Sequence, residues 1–397
     1  MLLSSLLNRF SEPETLKMAR LGRELKAKGV DVVDLSLGEP DFNTPDYIKE
    51  AAKKAIDDNW SHYTPVAGYL ELREAVCHKL KRDNGLHYLP EEIVVSTGAK
   101  HSLANAVLSL VDEGDEVLIP TPYWVTYAAL VQLAKGTVRE MKTTLESGYK
   151  ITPEALEQAI TTRTKLFMFS SPCNPSGAVY SQQELHGLAD VFNRHPQVFI
   201  ISDEIYEYIN YTGKHQSIAA IAELKDRVIL INGLSKGYAM TGWRLGYMAA
   251  TTQIAKGCEK LQGQFTSGTN AIAQRAAITA LTVADASTKK MIEEFGRRRA
   301  VVMQLMQEIP GFRFAEPEGA FYAFPCVDRY FGKTNGSSEI KNADDLAMYL
   351  LNKAHVSTVT GSAFGDPQCL RISFANSMDN IRKGFERIGK ALHQLEG

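Results

Sequence analysis

The stretch VFIISDEIY, residues 198–206, decides the fold class, because an apolar run ends at Ser202 and leads directly into Asp203. Three further stretches share this form, an apolar run that ends in a small polar residue and then enters a polar motif: IVVSTGAK at 93–100, LFMFSSPCNPSG at 166–177 and VILINGLSK at 228–236. The carboxyl ends of parallel strands meet at one edge of an open sheet, where α/β proteins bind ligands. These stretches therefore predict parallel strands whose polar ends converge in one crevice.

A further apolar run, VLI at 117–119, predicts one more strand. Helix signals lie between these strands. TPD at 44–46 and TPE at 152–154 are each typical of an N-cap followed by proline at the first helical position. Residues 181–184 have the form S-x-x-E, a capping box that predicts a helix ending near Arg194. Because strands alternate with helices, we expect an α/β fold with a mostly parallel central sheet flanked by helices on both faces.

The last hundred residues have a different pattern, which is typical of a smaller α+β domain. Its predicted elements are a long charged helix over 287–308, an irregular stretch at 311–324, helices near 344–354 and 378–394, and a strand at 370–374. We expect a large domain at 48–290, a small discontinuous domain made of 1–47 and 291–397, and a hinge near 285–310.

Composition narrows the class of protein. The 397 residues are 44% hydrophobic and 23% charged, and a formal net charge of −2 gives little electrostatic support for a nucleic-acid partner. No apolar run reaches the roughly 18 residues of a membrane span, and the LLSSLL stretch near the start lacks the basic segment of a signal peptide. The five cysteines, at 77, 173, 258, 326 and 369, are dispersed. This pattern predicts reduced thiols in a cytoplasmic protein, with no metal site.

The polar strand ends carry the candidate chemistry. Lys236 lies among small residues where desolvation and nearby cations would lower its pKa and make it a nucleophilic amine, although an ion pair with Asp203 is the alternative. Arg244 is suited to holding a phosphate bidentately, or to a structural ion pair. Gly98 and Ala99 open a predicted helix whose backbone N–H groups can approach an anion. Together these residues favour a phosphate-binding cup.

These motifs resemble a known family. GLSKGYAMTGWRLG at 233–246 matches the pyridoxal-phosphate attachment signature of class I aminotransferases throughout. Other matches follow in family order: LGEPDF at 37–42, HYTP at 62–65, PYW at 122–124, NPSG at 174–177, SDEIY at 202–206 and RIS at 371–373. The chain is most similar to the bacterial aspartate aminotransferases of subgroup Iβ. The resemblance implies a fold-type-I homodimer with shared active sites, which uses pyridoxal 5′-phosphate to exchange the amino group between L-aspartate and 2-oxoglutarate.

The resemblance also implies residue roles in cofactor chemistry. Lys236 is expected to attach the cofactor covalently and to move the proton at the substrate Cα. Asp203 is expected to keep the pyridine nitrogen protonated, so that the ring accepts electrons. Tyr206 and Asn174 are expected to hydrogen-bond the ring oxygen, and Trp124 to lie against the ring face.

Phosphate and substrate contacts are implied in the same way. The phosphate is expected to bind Ser235, Arg244 and the turn formed by Gly98, Ala99 and Lys100, with Tyr63 contributed by the other subunit. Arg371 is expected to bind the substrate α-carboxylate, beside Trp124 and Asn174, and Gly38 to let the backbone approach the substrate. The family also implies cis peptides at Thr121–Pro122 and Asn174–Pro175.

Substrate choice is expected to depend on Lys100. The matching lysine of this branch pairs with the distal carboxylate of aspartate, with Thr15 assisting. One departure concerns residues 11–15, SEPET, where the branch usually has K-P-S-x-T. Glu12 falls near the expected lysine, which has been tied to prephenate use, so that side activity is in doubt. The turn also has Ala99 where glycine is commoner, which is harmless if its φ is negative.

Other functions stay open at this point. The same scaffold supports transamination of aromatic or aliphatic amino acids, prephenate or arogenate, and it also supports β-elimination. A non-catalytic relative, such as the ligand-sensing half of a transcription regulator, is disfavoured by the complete set of lysine, aspartate and two arginines. A nicotinamide dehydrogenase is excluded because no G-x-G-x-x-G follows a first strand.

Overall fold

The computed structural model describes residues 4–10, 12–336 and 339–396. Its helices are α1 Glu14–Ala27, α2 Asp46–Asp57, α3 Leu70–Lys79, α4 Ala99–Leu110, α5 Thr126–Leu133, α6 Pro153–Ala159, α7 Gln182–Arg194, α8 Thr252–Phe265, α9 Ala271–Thr282, α10 Ser287–Gln307, α11 Ala343–Tyr349 and α12 Met378–His393. Its strands are β1 Val33–Asp34, β2 Ile93–Ser96, β3 Glu116–Pro120, β4 Thr137–Met141, β5 Thr164–Ser170, β6 Phe199–Asp203, β7 Val228–Gly233, β8 Gly246–Ala249, β9 Tyr322–Ala323, β10 Val356–Ser357, β11 Val359–Thr360 and β12 Leu370–Ser373.

The central sheet is mostly parallel, as predicted. Within the described residues it has seven strands in the order β2-β8-β7-β6-β5-β3-β4. Only β8 runs against its neighbours, β2 and β7. Side chains of β7 alternate between the two faces: Leu230 joins one apolar cluster while Ile229 and Ile231 join another. Both faces are therefore buried under helices, which explains why these strands are continuously apolar in sequence.

In the central sheet, the two strands that were not predicted from the sequence are β4 and β8. In β4 the side chains are largely exposed at the sheet edge, so the sequence lacks an apolar run there. Strand β8 begins at Gly246, where an added Cβ would lie 2.2 Å from the amide nitrogen of Ala99. This close approach joins the end of the signature stretch to the start of α4.

The small-domain elements pack as an α+β unit. Strand β1 pairs in parallel with β10, and β12 pairs in antiparallel fashion with β11 and β9. Val33 of β1 shares one apolar cluster with Phe385 of α12 and Ile372 of β12. The N-terminal segment thus packs on the C-terminal third of the chain, although the domain bounds and the hinge stay predictions.

Helix boundaries follow the capping signals with one exception. Thr152 and Ser181 accept hydrogen bonds from the N–H groups of Ala155 and Glu184, which confirms both caps. The prediction of Thr44 as an N-cap is wrong. Helix α2 begins after Pro45 without a side-chain cap, and the Thr44 hydroxyl donates to the carbonyl of Ala239 instead. A tertiary contact therefore replaces the local one.

Candidate active site

A cavity of about 410 Å³ opens at the carboxyl ends of the parallel strands. It brings together most of the side chains that the sequence singled out: Thr15, Gly38, Ala99, Lys100, Trp124, Asn174, Asp203, Tyr206, Ser235, Lys236, Arg244 and Arg371. The expected cis peptides at Thr121–Pro122 and Asn174–Pro175 are both present, and a third joins Ser171 to Pro172. The convergence predicted from the strand ends is thus present in the fold.

Lys236 follows β7 and extends into this cavity. Its Nζ donates a 2.5 Å hydrogen bond to the carbonyl oxygen of Gly38. Burial lowers the pKa of Lys236 to about 8, with Arg371 and Arg244 adding to the lowering and Glu39 opposing it. About a tenth of the amine is therefore neutral at pH 7, far more than for an ordinary lysine, and the neutral form is the one that acts as a nucleophile or a base.

Asp203 is the last residue of β6 and is only 4% exposed. One carboxylate oxygen accepts a 2.7 Å hydrogen bond from the hydroxyl of Tyr127, and the other accepts one from the amide of Ile205 at 3.2 Å. Burial raises the pKa of Asp203 to about 6. Within the described residues no cation pairs with this carboxylate, so its ionisation calls for a cationic partner from a ligand.

Arg371 lies in β12 at the far wall and is 2% exposed. Its guanidinium donates to the side-chain oxygen of Asn174 at 3.0 Å and to the carbonyl of Ser36 at 2.5 Å. Its Nε has no partner in the described part of the chain, and its ring neighbour is Tyr322, 4.6 Å from the guanidinium carbon. Burial lowers the pKa of Arg371. A buried arginine held by neutral oxygens leaves its charge for an anion.

Two tyrosines meet beside Lys236. The hydroxyl oxygens of Tyr206 and Tyr322 are 2.7 Å apart, and burial raises the pKa of Tyr206. An added Cβ on Gly38 would lie 2.7 Å from the Tyr322 hydroxyl, so the narrow space here depends on glycine. Both phenols therefore stay neutral, and one donates a hydrogen bond to the other, which leaves one O–H free to donate to a ligand.

A second anion cradle forms where α4 begins. Gly98 precedes the helix with φ of +84°, and an added Cβ would lie 2.6 Å from a guanidinium nitrogen of Arg244. Ser235 is buried close to this turn, while Arg244 has φ of 55° and donates to the carbonyl of Thr241 at 2.9 Å. Ala99 is the first helical residue and has no positive φ, as expected. Helix amides and a guanidinium together suit a phosphate.

Lys100 extends along the mouth of the cavity. Its Nζ lies 4.9 Å from the ring centroid of Trp124, and the Trp124 ring meets Tyr127 edge-on at 5.8 Å. Desolvation, followed by repulsion from Arg244, lowers the pKa of Lys100. The cation is thus placed at the entrance with an aromatic face beside it.

Charge is distributed unevenly around this cavity. Its lining includes Arg23, Lys100, Lys236, Arg244 and Arg371 but one carboxylate, that of Asp203. None of these five cations forms an ion pair with a carboxylate of the described residues. Because unpaired cations repel one another in a partly desolvated space, the arrangement selects ligands that carry several negative charges.

Tyr63 is the predicted site residue that lies elsewhere. It does not line the cavity of its own chain and is 99% exposed. Phe265 is the last residue of α8 and is 64% exposed. Gly268, three residues further on, packs closely against Thr64, since an added Cβ on Gly268 would lie 2.0 Å from the Thr64 hydroxyl oxygen. Exposed aromatic residues of this size are typical of an interface. The role of Tyr63 toward a partner subunit stays a prediction.

The segment that departs from the family pattern lies at the start of α1. Ser11 is outside the described residues, whereas Pro13 and Thr15 line the cavity. Glu12 does not line it and instead lies 3.7 Å from Arg20. The acidic side chain that replaces the expected lysine is therefore turned toward a neighbouring arginine.

Sequence reasoning missed Tyr127, Tyr322 and Arg23. Tyr127 follows the recognised PYW motif at 122–124 by one helical turn, which was an available signal. Arg23 lies two turns after Thr15 on α1, at the spacing that places two residues on one helix face. No local pattern singles out Tyr322.

This fold and this site are those of a transaminase of the fold-type-I architecture. Residues 30–388 match the family described as aminotransferase class I and II. The chain therefore belongs to this family. No helix in the described ranges is long and apolar enough to cross a membrane.

The chain is similar to bacterial proteins along nearly its whole length. The chain is 43% identical to an aspartate/prephenate aminotransferase of Cereibacter sphaeroides over 97% of each chain. It superposes on a crystal structure of the aspartate aminotransferase from Rhizobium meliloti with a TM-score of 0.96, at 40% identity over the full length of both. The aspartate aminotransferase of Thermus thermophilus with maleate gives a TM-score of 0.93 at 36% identity, covering 98% of this chain and 100% of that one.

Proposed function

We propose that this enzyme transfers the amino group of L-aspartate to 2-oxoglutarate with pyridoxal 5′-phosphate as cofactor, giving oxaloacetate and L-glutamate. The observation that carries the proposal is the cavity in which Lys236 and Asp203 lie among four further unpaired cations. A phosphorylated cofactor and a dicarboxylate substrate together supply the anions that these cations lack.

The residues present fit this cofactor. Gly98, Ser235 and Arg244 provide amides, a hydroxyl and a guanidinium for the phosphate. Asp203 provides the buried carboxylate for a protonated ring nitrogen, and Tyr206 a neutral phenol for the ring oxygen. When bound, pyridoxal phosphate supplies an aldehyde for the amine and a ring that accepts electrons.

The chain's own groups then handle the protons. The lowered pKa of Lys236 leaves its Nζ able to attach the cofactor and, once freed, to take the proton from the substrate Cα and return it. Asp203 holds the proton on the ring nitrogen, since a cation that faces the buried carboxylate stabilises its ionised form. Trp124 lines the cavity beside Lys100 and is placed to contact the cofactor ring.

Two of the unpaired cations that line the cavity account for a dicarboxylic substrate. Arg371 offers its guanidinium to the α-carboxylate, and Lys100, assisted by Thr15, binds the distal carboxylate. The Thermus thermophilus relative has been solved with maleate, which is also a dicarboxylate. Gly38 leaves room for the substrate backbone.

Prephenate is the second candidate amino acceptor. The Cereibacter sphaeroides relative is named for both activities. Arg23 offers a cation on α1 although Glu12 replaces the expected lysine, so the cavity keeps a positive charge at this wall. Prephenate use is thus proposed as a side activity carried by Arg23.

A homodimer with shared sites completes the proposal. The exposure of Tyr63 and Phe265 supports an interface on this face, and Tyr63 would reach the phosphate of the neighbouring site. A cytoplasmic location is proposed as well, because the five cysteines are free thiols.

The direct test is to mix the cofactor-loaded enzyme with aspartate and 2-oxoglutarate and to assay oxaloacetate. Turnover with this pair should exceed that with alanine or phenylalanine as amino donor. Turnover with another donor but none with aspartate contradicts the dicarboxylate assignment. Prephenate is tested as acceptor with glutamate or aspartate as donor.

A further inference from the structure

Two thiols lie in contact in the small domain, away from the active-site cavity. The Sγ atoms of Cys326 and Cys369 are 3.0 Å apart. Cys326 is 5% exposed and Cys369 is fully buried. The two residues are separated by 43 positions along the chain. Both are free thiols, and no sequence motif links them, so their contact arises from the fold.

The backbone holds this pair in a register that suits a cross-link. Cys326 and Cys369 face each other across an antiparallel bridge. The hydrogen bonds run between their neighbours, from the amide of Leu370 to the carbonyl of Pro325 at 3.0 Å and from Val327 to Gln368 at 2.8 Å. The cysteines are therefore a non-hydrogen-bonded pair, for which the Cα atoms lie about 4.5 Å apart. A disulfide accepts Cα separations of roughly 4.4–6.8 Å, so the pair can close with only a small movement of the backbone.

The surrounding polar groups distinguish the two sulfurs. The hydroxyl of Tyr149 lies 3.4 Å from the Cys326 sulfur and 3.5 Å from that of Cys369. The hydrogen bond from Cys369, and after it that from Tyr149, lowers the pKa of Cys326, whereas the pKa of Cys369 is raised. Cys326 is thus the thiol that forms a thiolate more readily, and it is also the one that retains exposed area.

We propose that Cys326 and Cys369 form a redox modification site that closes reversibly into a disulfide when a hydroperoxide oxidises the protein. The Cys326 thiolate attacks one oxygen of hydrogen peroxide, and the O–O bond breaks to give a sulfenic acid and, after protonation, water. The Cys369 sulfur then attacks the Cys326 sulfur, the S–O bond breaks, and the hydroxide leaves as a second water. The two thiols lose two electrons and two protons, and a dithiol reductant returns them.

The cross-link has a consequence that rests on the proposed function. Cys369 directly precedes β12, and Arg371 lies two positions further along the same extended segment. Their side chains therefore lie on the same face of this segment. Closing the sulfurs from 3.0 Å to a bond of about 2.05 Å shortens their separation by nearly 1 Å, and the segment that carries Cys369 takes up part of this movement. Arg371 moves with it, and the binding of the substrate carboxylate weakens.

The test treats the full-length enzyme with hydrogen peroxide and then with dithiothreitol. The oxidised protein should lose the mass of two hydrogen atoms, yield a peptide pair joining Cys326 to Cys369, and melt about 5 °C higher because a long loop is closed. Cys369→Ala and Cys326→Ala should abolish the linked peptides, and Cys77→Ser, outside the pair, should leave them unchanged. Oxidised enzyme without this cross-link overturns the proposal, whatever its activity.

Tyr149→Phe supplies a variant that keeps both thiols. It preserves the ring contact with Phe324 and removes the hydroxyl, so cross-linking should slow by several-fold while still reaching completion. In the same samples the KM for aspartate should rise about 10-fold on oxidation and return on reduction. An unchanged KM in cross-linked enzyme overturns the coupling to Arg371 but not the disulfide. Absence of any turnover in reduced enzyme contradicts the proposed function instead.

Discussion

Tyr127 donates a 2.7 Å hydrogen bond to the carboxylate of Asp203, and both side chains are buried. The bond stabilises the ionised carboxylate and so opposes the burial that raises the pKa of Asp203 to about 6. Tyr127 is therefore a positioning residue: it acts through Asp203 and sets how readily that group becomes the counter-ion of the cofactor.

Replacing Tyr127 with Phe should raise the pKa of Asp203 further, since a hydrogen bond to the charged form is lost. Cofactor-free protein, labelled at aspartate, should show this rise by NMR titration, and the acid limb of kcat/KM should move to higher pH. Tyr123→Phe is the matched control, because its hydroxyl donates to Glu140 instead. An unshifted titration would show that Tyr127 only fills space.

Asp203→Asn should separate stability from activity. In the cofactor-free protein the folded state binds the Asp203 proton more tightly than the unfolded state, whose pKa is near 3.8. The free energy of unfolding therefore falls as pH rises from about 4 to 7, by up to about 3 kcal/mol.

The asparagine side chain does not ionise, so the Asp203→Asn variant does not lose stability as pH rises. In urea unfolding, the cofactor-free variant should therefore be more stable than the parent at pH 7 and equally stable near pH 4. Turnover of the loaded variant should drop by orders of magnitude, because the ring nitrogen loses its carboxylate. Turnover within a few-fold of the parent would contradict the role of Asp203.

Lys236→Ala should remove turnover and covalent cofactor attachment together. The phosphate cradle at Gly98, Ser235 and Arg244 is unchanged, so the cofactor should still bind reversibly. Borohydride treatment followed by intact-mass measurement should add the cofactor mass to the parent chain and not to the variant. A Lys225→Ala chain, altered at a surface lysine beside Tyr88, should behave like the parent.

Lys100→Met should change substrate preference more than catalysis. Loss of one partner of a desolvated charge pair costs roughly 2–5 kcal/mol, so kcat/KM for aspartate should fall by about 30-fold to several thousand-fold. Phenylalanine lacks the distal carboxylate and should lose little. A uniform fall for both substrates would assign Lys100 to the phosphate cradle or to folding.

Arg23→Met should reduce the use of prephenate relative to 2-oxoglutarate, if Arg23 supplies the cation on α1. Arg20→Met, on the same helix but paired with Glu24, is the control and should change neither ratio. The measurement is kcat/KM for the two acceptors with a common donor.

Mixed dimers test the role of Tyr63. Co-folded Lys236→Ala and Tyr63→Ala chains should give hybrids in which one site lacks both residues and the other is intact. With random pairing, activity should reach about a quarter of the parent value and exceed that of either variant alone. Lys236→Ala chains mixed with themselves are the control, and verified hybrids without a gain would place Tyr63 in its own subunit.

The sequence by itself determined the parallel strands at the centre of the sheet and most of the cavity. Strands β5, β6 and β7 are buried on both faces, so their apolar runs and polar ends could be predicted from each segment alone. The positions of Asn174, Asp203 and Lys236 at the ends of these strands follow from that prediction. The caps at Thr152 and Ser181 were equally local, since each is satisfied within one helical turn.

Only the tertiary structure decided the contacts between distant segments. Thr44 bonds to Ala239 rather than to its own helix, Tyr322 meets Tyr206, and Cys326 meets Cys369. Strand β8 was not predicted from its own residues, and it becomes evident only through its pairing with β2 and β7. The periodicity of a segment indicates which of its side chains face the core and which face solvent. Each of these pairings instead brings together residues that are far apart along the chain, and no local pattern encodes that.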